Sequence, residues 1–517
     1  MEKQSLLKGA FILIIAGFIN RVLGFILRII LVQMIGDEGL GLFQMVYPFF
    51  ITLLLISTAS FPTAISKLIP ERLARNDKKG VYQLLKTSLL FVGGMGLLTG
   101  TLLYFLSGFV SQNIFGDPRT RIILMTLTPA LFITPLASSL RGFFQGHHTM
   151  IPTAVSQITE QINRMGSTLV MVSITGYLGL KYQAASIGLG ISIGELSGLI
   201  ILLYFFVTHI KTDNKKITPL RIKTGVFHCF KEITKIAFPI TAGRLINSLM
   251  LSVEAILIPR QLQNSGLGVR EATSLFGQLS GMVEQIIFFP TVVTIGLTTS
   301  LIPNISDAHA RNNITKIRKN YQDVIRVTTY LGFPLTVIFF LRGREICNLL
   351  FNFPAAGPIL SAMALTATFI YYLHVSSGML NGLGKPQLAL LNLGIGSAIK
   401  LTGIYFLTPR PELRIIGSII SITLGYIAAA ILNFFTIGNT IGYDLDIKQT
   451  LVKPLFSSFL IFIITPYLSR ILHPLYNLYN IRLVTLLELV ILGFVYLITM
   501  FAIKAITADD IKRFTGN

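Results

Sequence analysis

Tryptophan is absent from this 517-residue chain, cysteine occurs only twice, and charged residues make up just 13% of it. Without Trp, an aromatic belt at a membrane–water boundary must be built from Tyr and Phe, present 17 and 37 times. The two cysteines, Cys229 and Cys347, provide neither a disulfide framework nor a Cys/His metal cluster. They are expected on opposite sides of a membrane and so are not expected to pair. Soluble domains are typically about 25% charged. With 52% hydrophobic residues and a mean hydropathy of +0.70, this chain has too little polar surface to cover itself in water. No HExxH or Walker A sequence occurs. GLGISIG (188–194) has the glycines of a nucleotide loop but neither their spacing nor a preceding strand.

A spanning helix needs about 20 mostly apolar residues. Such runs lie at 9–33, 43–68, 83–110, 121–144, 152–179, 184–208, 234–260, 273–302, 322–343, 358–381, 387–408, 413–440, 452–472 and 483–505. They predict an all-α polytopic membrane protein with about fourteen transmembrane helices. The first run exceeds the roughly 7–15 apolar residues of a cleaved signal and reads as a retained helix. The runs 322–343 and 452–472 are short and contain Pro334 and Pro466, which a helix bundle tolerates.

Basic residues exceed acidic ones by 43 to 22. Loops on the side of the two termini, with Arg141 counted among them, hold about 27 Lys and Arg; the opposite loops, with Arg342 counted among them, hold about 11. This bias places both termini in the cytoplasm and absorbs most of the positive charge, so no nucleic-acid partner is needed. The basic stretch at 209–235 reads as a topology determinant joining two lobes, with lysines placed to touch anionic lipid headgroups.

Internal similarity supports two lobes. FPTAISKLIPERLARND (61–77) and LIPNISDAHARNN (301–313) share Pro, Ile-Ser and Ala-Arg-Asn, and SSLRGFFQG (138–146) parallels SSGMLNG (376–382). The expected organisation is an N-lobe of helices one to six (1–208), a cytoplasmic linker (209–235) and a C-lobe of helices seven to twelve (236–441), followed by helices thirteen and fourteen with a tail (442–517). The two lobes form a parallel repeat of six helices each. Gly190, Gly194 and Gly198 mark a close-packing helix face.

Ionisable residues inside apolar runs cost roughly 2.5–3.5 kcal/mol each on insertion scales, and persist where they pair, line a cavity or bind something. Asn20, Arg21 and Arg28 lie on the first helix, with the two arginines seven apart and on one face. Gln157, Glu160 and Arg164 form a polar stripe on the fifth, and Glu195 lies on the sixth. Arg244, Asn247 and Glu254 share the seventh; Glu284 and Lys400 lie on the eighth and eleventh. Glu160 and Arg164 are spaced to pair with each other, and Lys400 is placed to snorkel outward. If Arg21, Arg28, Arg164 and Arg244 converge, they form a cationic chamber suited to an anion such as a diphosphate. Asn20, Gln157, Glu160, Glu195, Asn247, Glu254, Glu284 and Lys400 are the cavity polar groups, with candidate coupling residues among them.

The segments 18–50, 61–77 and 138–164 resemble the stage V sporulation protein B branch of the multidrug/oligosaccharidyl-lipid/polysaccharide (MOP) flippase superfamily. NRVLGFILRIILVQMIG (20–36) is also similar to the first helix of MurJ-type lipid II flippases. The resemblance implies two six-helix lobes around a central cavity, two final helices forming a groove, and alternating access. It implies a lipid-linked peptidoglycan precursor held by cavity arginines, for spore cortex synthesis at a membrane around the forespore. No cofactor is implied. Coupling to a cation gradient or membrane potential, and contact with membrane lipids and peptidoglycan synthesis proteins, are implied. Arg21 falls on the arginine of the MurJ-like S-R-V-L-G-F segment. Arg28 is displaced by one position, with Leu27 where that family has its second arginine. Glu284 lies near an acidic position of the eighth helix, but Gln285 replaces the arginine that follows it. Two rival functions remain: a multidrug or other lipid-linked oligosaccharide exporter of the same superfamily, and a membrane-bound glycosyl- or acyltransferase centred on His147, His148 and Arg141.

Overall fold

The computed structural model describes residues 6–213, 225–442, 446–478 and 480–506. Residues 214–224, the centre of the expected linker, lie outside this set, as does the tail from 507. Every regular element among the described residues is helical. The chain forms two compact units: Met1–Arg260 with Val269–Gly277, and Gln261–Gly268 with Gln278–Asn517.

The first unit contains α1 (Leu6–Thr58), α2 (Phe61–Ala74), α3 (Lys78–Phe109), α4 (Thr120–Gly146), α5 (Ile151–Ile174), α6 (Leu180–Asp213), most of α7 (Val226–Asn264) and α8 (Val269–Phe276). The second contains α9 (Glu284–Phe288), α10 (Thr291–Ala310), α11 (Ile314–Phe351), α12 (Gly357–Gly382), α13 (Pro386–Leu407), α14 (Ile415–Ile441), α15 (Lys453–Leu478) and α16 (Ile481–Ala502). Helix therefore covers both flanks of the expected linker.

Among the described residues, eleven helical stretches are long and apolar enough to cross a membrane, or twelve if the bent pair 269–288 and 291–310 is one span. The difference from fourteen has two sources. The runs 9–33 and 43–68 merge into α1 plus α2, a 64-residue stretch counted once. At 1.5 Å per residue it would reach ~96 Å, about three times the hydrocarbon thickness. It is not straight: Gly36 (φ 66°, ψ −169°) breaks α1 in a conformation that only glycine adopts freely, and Ala59 and Ser60 break the chain again before α2. α5 is the other source. Its 24 residues form a regular helix but carry too many polar groups to qualify.

Phe105, Tyr204 and Phe406 project outward where a soluble helix would carry charge, which makes these faces suited to lipid. With the long apolar helices, they identify an integral membrane protein. Inside the first unit, Phe61, Ile65, Leu84, Leu140 and Phe143 pack a core between α2, α3 and α4; in the second, Leu301, Ile305, Tyr321 and Met379 do the same between α10, α11 and α12. The Ser274 hydroxyl of α8 donates to Asp37 of α1, and Gly41 and Gly277 let their backbones meet closely.

The two units repeat one local design at a constant offset. Asn76 and Asn312 both adopt the left-handed conformation (φ 56° and 53°) after α2 and α10. The next residue then caps the following helix: Asp77 accepts from the Gly80 N–H and Asn313 from the Lys316 N–H. Gly142 and Gly146 of α4 pack against Pro62, Ile65 and Ile69 of α2; Gly378 and Gly382 of α12 pack against Thr298, Ile302 and Ile305 of α10. His148 and Gly384 then turn the chain with positive φ.

The same offset matches Arg164 of α5 with Lys400 of α13. Gly194 of α6 fits against Arg164 and the Glu160 carbonyl, while Gly425 of α14, at an offset shorter by about one helical turn, fits against Lys400 and the Gly396 carbonyl. The residues after these glycines are Glu195, an ion-pair partner of Arg164, and Tyr426, whose ring lies 5.6 Å from Lys400 Nζ. Lys400 is buried in mid-helix, not snorkelling outward. Tyr426 gives its ammonium an aromatic face in place of water.

Candidate functional site

The polar stripe of α5 faces α4 and α6. Glu160 is only 8% exposed, and both its oxygens are occupied: Oε2 accepts from Arg141 Nη2 of α4 at 2.6 Å, and Oε1 accepts from Arg164 Nη2 one turn along. Arg164 Nη2 also reaches Glu195 Oε1 at 3.2 Å, and Arg141 Nε donates to Ser156 Oγ at 3.3 Å. Close approach of the helices makes this cluster possible. A Cβ on Gly194 would meet Arg164 Cβ at 2.8 Å and the Glu160 carbonyl at 2.9 Å, and one on Gly198 would meet Arg141 Nη2 at 3.3 Å. The Gly190, Gly194 and Gly198 face of α6 is thus the surface on which α5 lies.

The first half of α1 adds to this group. A Cβ on Gly24 would meet Gln161 Nε2 of α5 at 3.6 Å, and Asn20 and Arg28 lie one turn to either side of Gly24. Arg28 is part-buried with its Nη1 shielded from solvent, and Tyr47 lies within electrostatic reach of both Arg28 and Arg164. Four buried polar atoms here have no hydrogen-bond partner in the protein: Asn20 Oδ1, Arg28 Nη1, Arg164 Nε and Glu195 Oε2. Each such atom costs about 1–3 kcal/mol if left unpaired. A concentration of them marks a place built for something other than stability alone. Arg141 and Arg164 pair with the two carboxylates, Glu160 and Glu195, while Arg28 on α1 makes no ion pair among the described residues, leaving its positive charge in excess.

The other predicted residues lie elsewhere. Arg21 is exposed, and so are Arg244 and Asn247, whereas Glu254 is buried. Ten residues of helix turn the chain by about 80° from a whole number of turns, so 244 and 254 do not share a face. Gln157 is partly buried on α5. Glu284 accepts from Ser280 Oγ at 3.0 Å at the junction of a π-helical segment with α9.

Two basic residues counted as loop charges are not in loops. Arg141 belongs to the cluster, because α4 continues to Gly146. Arg342 lies inside α11 at a local kink, where its Nη2 donates to Glu488 of α16 and Ser469 of α15 and its Nη1 donates to Glu345 at 3.0 Å. Gln161 and Tyr47 were not singled out from the sequence, and Arg141 only as a loop charge and in the transferase alternative. The sequence signal for Arg141 was its position inside the run 121–144. Cys229 and Cys347 are both buried, and neither is in a disulfide.

Comparison with known proteins agrees with the fold. The profile of the family described as "Polysaccharide biosynthesis protein" matches residues 6–269, and that described as "MatE" matches 280–406. The chain is 28% identical to stage V sporulation protein B of Bacillus subtilis, covering 99% of this chain and 98% of that protein. It is 25% identical to the lipid II flippase MurJ of the same organism, covering 88% and 87%. A solved structure of lipid II flippase MurJ in an inward closed conformation superimposes with a TM-score of 0.71 at 15% identity, covering 94% of this chain and 97% of the other.

Proposed function

Because the chain belongs to the polysaccharide biosynthesis protein family within the MOP superfamily, we propose that it is a flippase for an undecaprenyl-diphosphate-linked glycan of the lipid II type. The observation that carries this reading is Arg28, whose buried Nη1 has no protein partner, on the helix α1 that packs through Gly24 against α5, the carrier of Glu160 and Arg164. A guanidinium at this depth suits an anion with paired oxygens, and a diphosphate supplies them. A cationic drug would meet an excess of positive charge instead.

Transport proceeds by alternating access, with no bond made or broken. The prenyl tail stays in lipid while the headgroup crosses, and Arg21 and Arg244 are exposed guanidiniums available to the headgroup. Membrane potential or a cation gradient supplies direction. The basic bias of the loops supports cytoplasmic termini. The likeness to stage V sporulation protein B supports a role in spore cortex synthesis at the forespore membrane, alongside peptidoglycan synthesis proteins.

The MatE match over 280–406 favours a second reading, a multidrug exporter. It predicts that acids of the site are free to bind cations, yet both Glu160 oxygens and Glu195 Oε1 are taken by arginines, leaving Glu195 Oε2 alone without one. The transferase reading is less supported: Arg141 is engaged by Glu160, and the His147 ring packs on Phe143 and His209. The test is a leaflet-accessibility assay with labelled lipid II in proteoliposomes. Protein-dependent exposure of the label on the far leaflet is expected. Label confined to its starting leaflet contradicts the reading.

A further inference from the structure

Glu195 stands apart from Glu160 in how it is held. Glu160 has one arginine on each oxygen. Glu195, 7% exposed, has Oε1 on Arg164 at 3.2 Å and a buried Oε2 with no partner in the protein. The charged groups facing it are Glu160 and Arg164 from α5 and Arg141 from α4. Among the described residues, α1 brings no titratable group to Glu195 itself; its Tyr47 reaches Arg164. Glu195 thus depends on a guanidinium that it shares with a better-held carboxylate.

An anion entering this site draws on the same guanidinium. When its oxygens engage Arg164, Glu160 keeps Arg141, but Glu195 loses its hydrogen-bonded guanidinium, retains only the shared field of Arg141, and faces both Glu160 and the incoming negative charge. Two carboxylates at close quarters in a water-poor setting do not both stay ionised. The least costly remedy is a proton on Glu195, whose unpartnered oxygen is free to receive one. The charge count agrees: Arg141 and Arg164 are already balanced by Glu160 and Glu195, and a diphosphate brings about two further negative charges.

Building on the anion reading above, we infer that Glu195 is a proton-binding site that fills when a diphosphate anion engages Arg164. An O–H bond forms on Glu195 with a proton drawn from water, and no other bond changes. Anion binding and proton binding are then linked, so each strengthens the other.

The test uses the full chain in nanodiscs and undecaprenyl diphosphate as probe. Titration calorimetry in buffers of different ionisation enthalpy counts the protons taken up per anion bound, for the wild type and for Glu195→Gln. The wild type should take up about one proton more than the variant, and its affinity should rise by up to about tenfold more per pH unit on acidification. Difference infrared spectroscopy gives a second readout. A protonated carboxyl band should appear on binding in the wild type and be lost in Glu195→Gln, while Glu160→Gln retains it. Binding with equal proton uptake in wild type and Glu195→Gln would overturn the proton site and leave the flippase reading standing. No binding at any pH would overturn both.

Discussion

Arg28 and Glu160 predict opposite phenotypes. Arg28 has no carboxylate to leave stranded, so Arg28→Met should leave the unfolding temperature unchanged or raise it. Glu160→Leu strands Arg141 and Arg164 together and should cost about 3 kcal/mol, read as a fall in thermal unfolding temperature in detergent. If both variants are equally destabilised, Arg28 is a structural cation like the others. The Glu160–Arg164 pair was legible in the sequence because i,i+4 spacing on one helix fixes its geometry. Arg141 was not, because its place depends on where α4 crosses α5. Arg21 shows a further limit. Its seven-residue spacing from Arg28 gives a common direction, but depth along α1 determines that Arg28 is part-buried, with its Nη1 shielded, and Arg21 exposed.

Among the helices, close glycine contacts do work that apolar periodicity does not reveal. A Cβ on Gly142 would sit 2.4 Å from the Pro62 carbonyl, so Gly142→Val must push α4 off α2 and should cost about 1–3 kcal/mol. Gly94 has open space around it, and Gly94→Ala should be neutral or stabilising by a few tenths to about 1 kcal/mol. Comparable losses from both would argue against the packing described. In the second unit, Glu488→Ala removes the carboxylate that ties α16 to Arg342 of α11. Hydrogen exchange should then rise in α16 while α12 keeps its protection; unchanged exchange would show that the pair does not hold the helix. The repeat was visible as short similar stretches, but its register became clear only from the matched caps and glycines. The break at Gly36 and the polarity of α5 explain why a span count based on apolar runs and one based on whole helices differ.

At the scale of the whole molecule, composition was enough to identify a helical membrane protein, and the two-lobe reading drew on similarities that recur as matched structure in each unit. The site was only partly legible. Of four predicted arginines, two lie at the α1–α5–α6 cluster, and a third guanidinium there, Arg141, had been counted as a topology charge. The proposed diphosphate site rests on Arg28, whose shielded Nη1 has no protein partner. It is tested most directly by the affinity of the purified protein in nanodiscs for undecaprenyl diphosphate, comparing wild type, Arg28→Met and, as a surface control, Arg311→Met. Arg28→Met should weaken binding by about ten- to a hundredfold, corresponding to loss of one charge-assisted contact of about 1.5–3 kcal/mol, with Arg311→Met indistinguishable from wild type. Equal affinity in all three, with every protein folded, would contradict it.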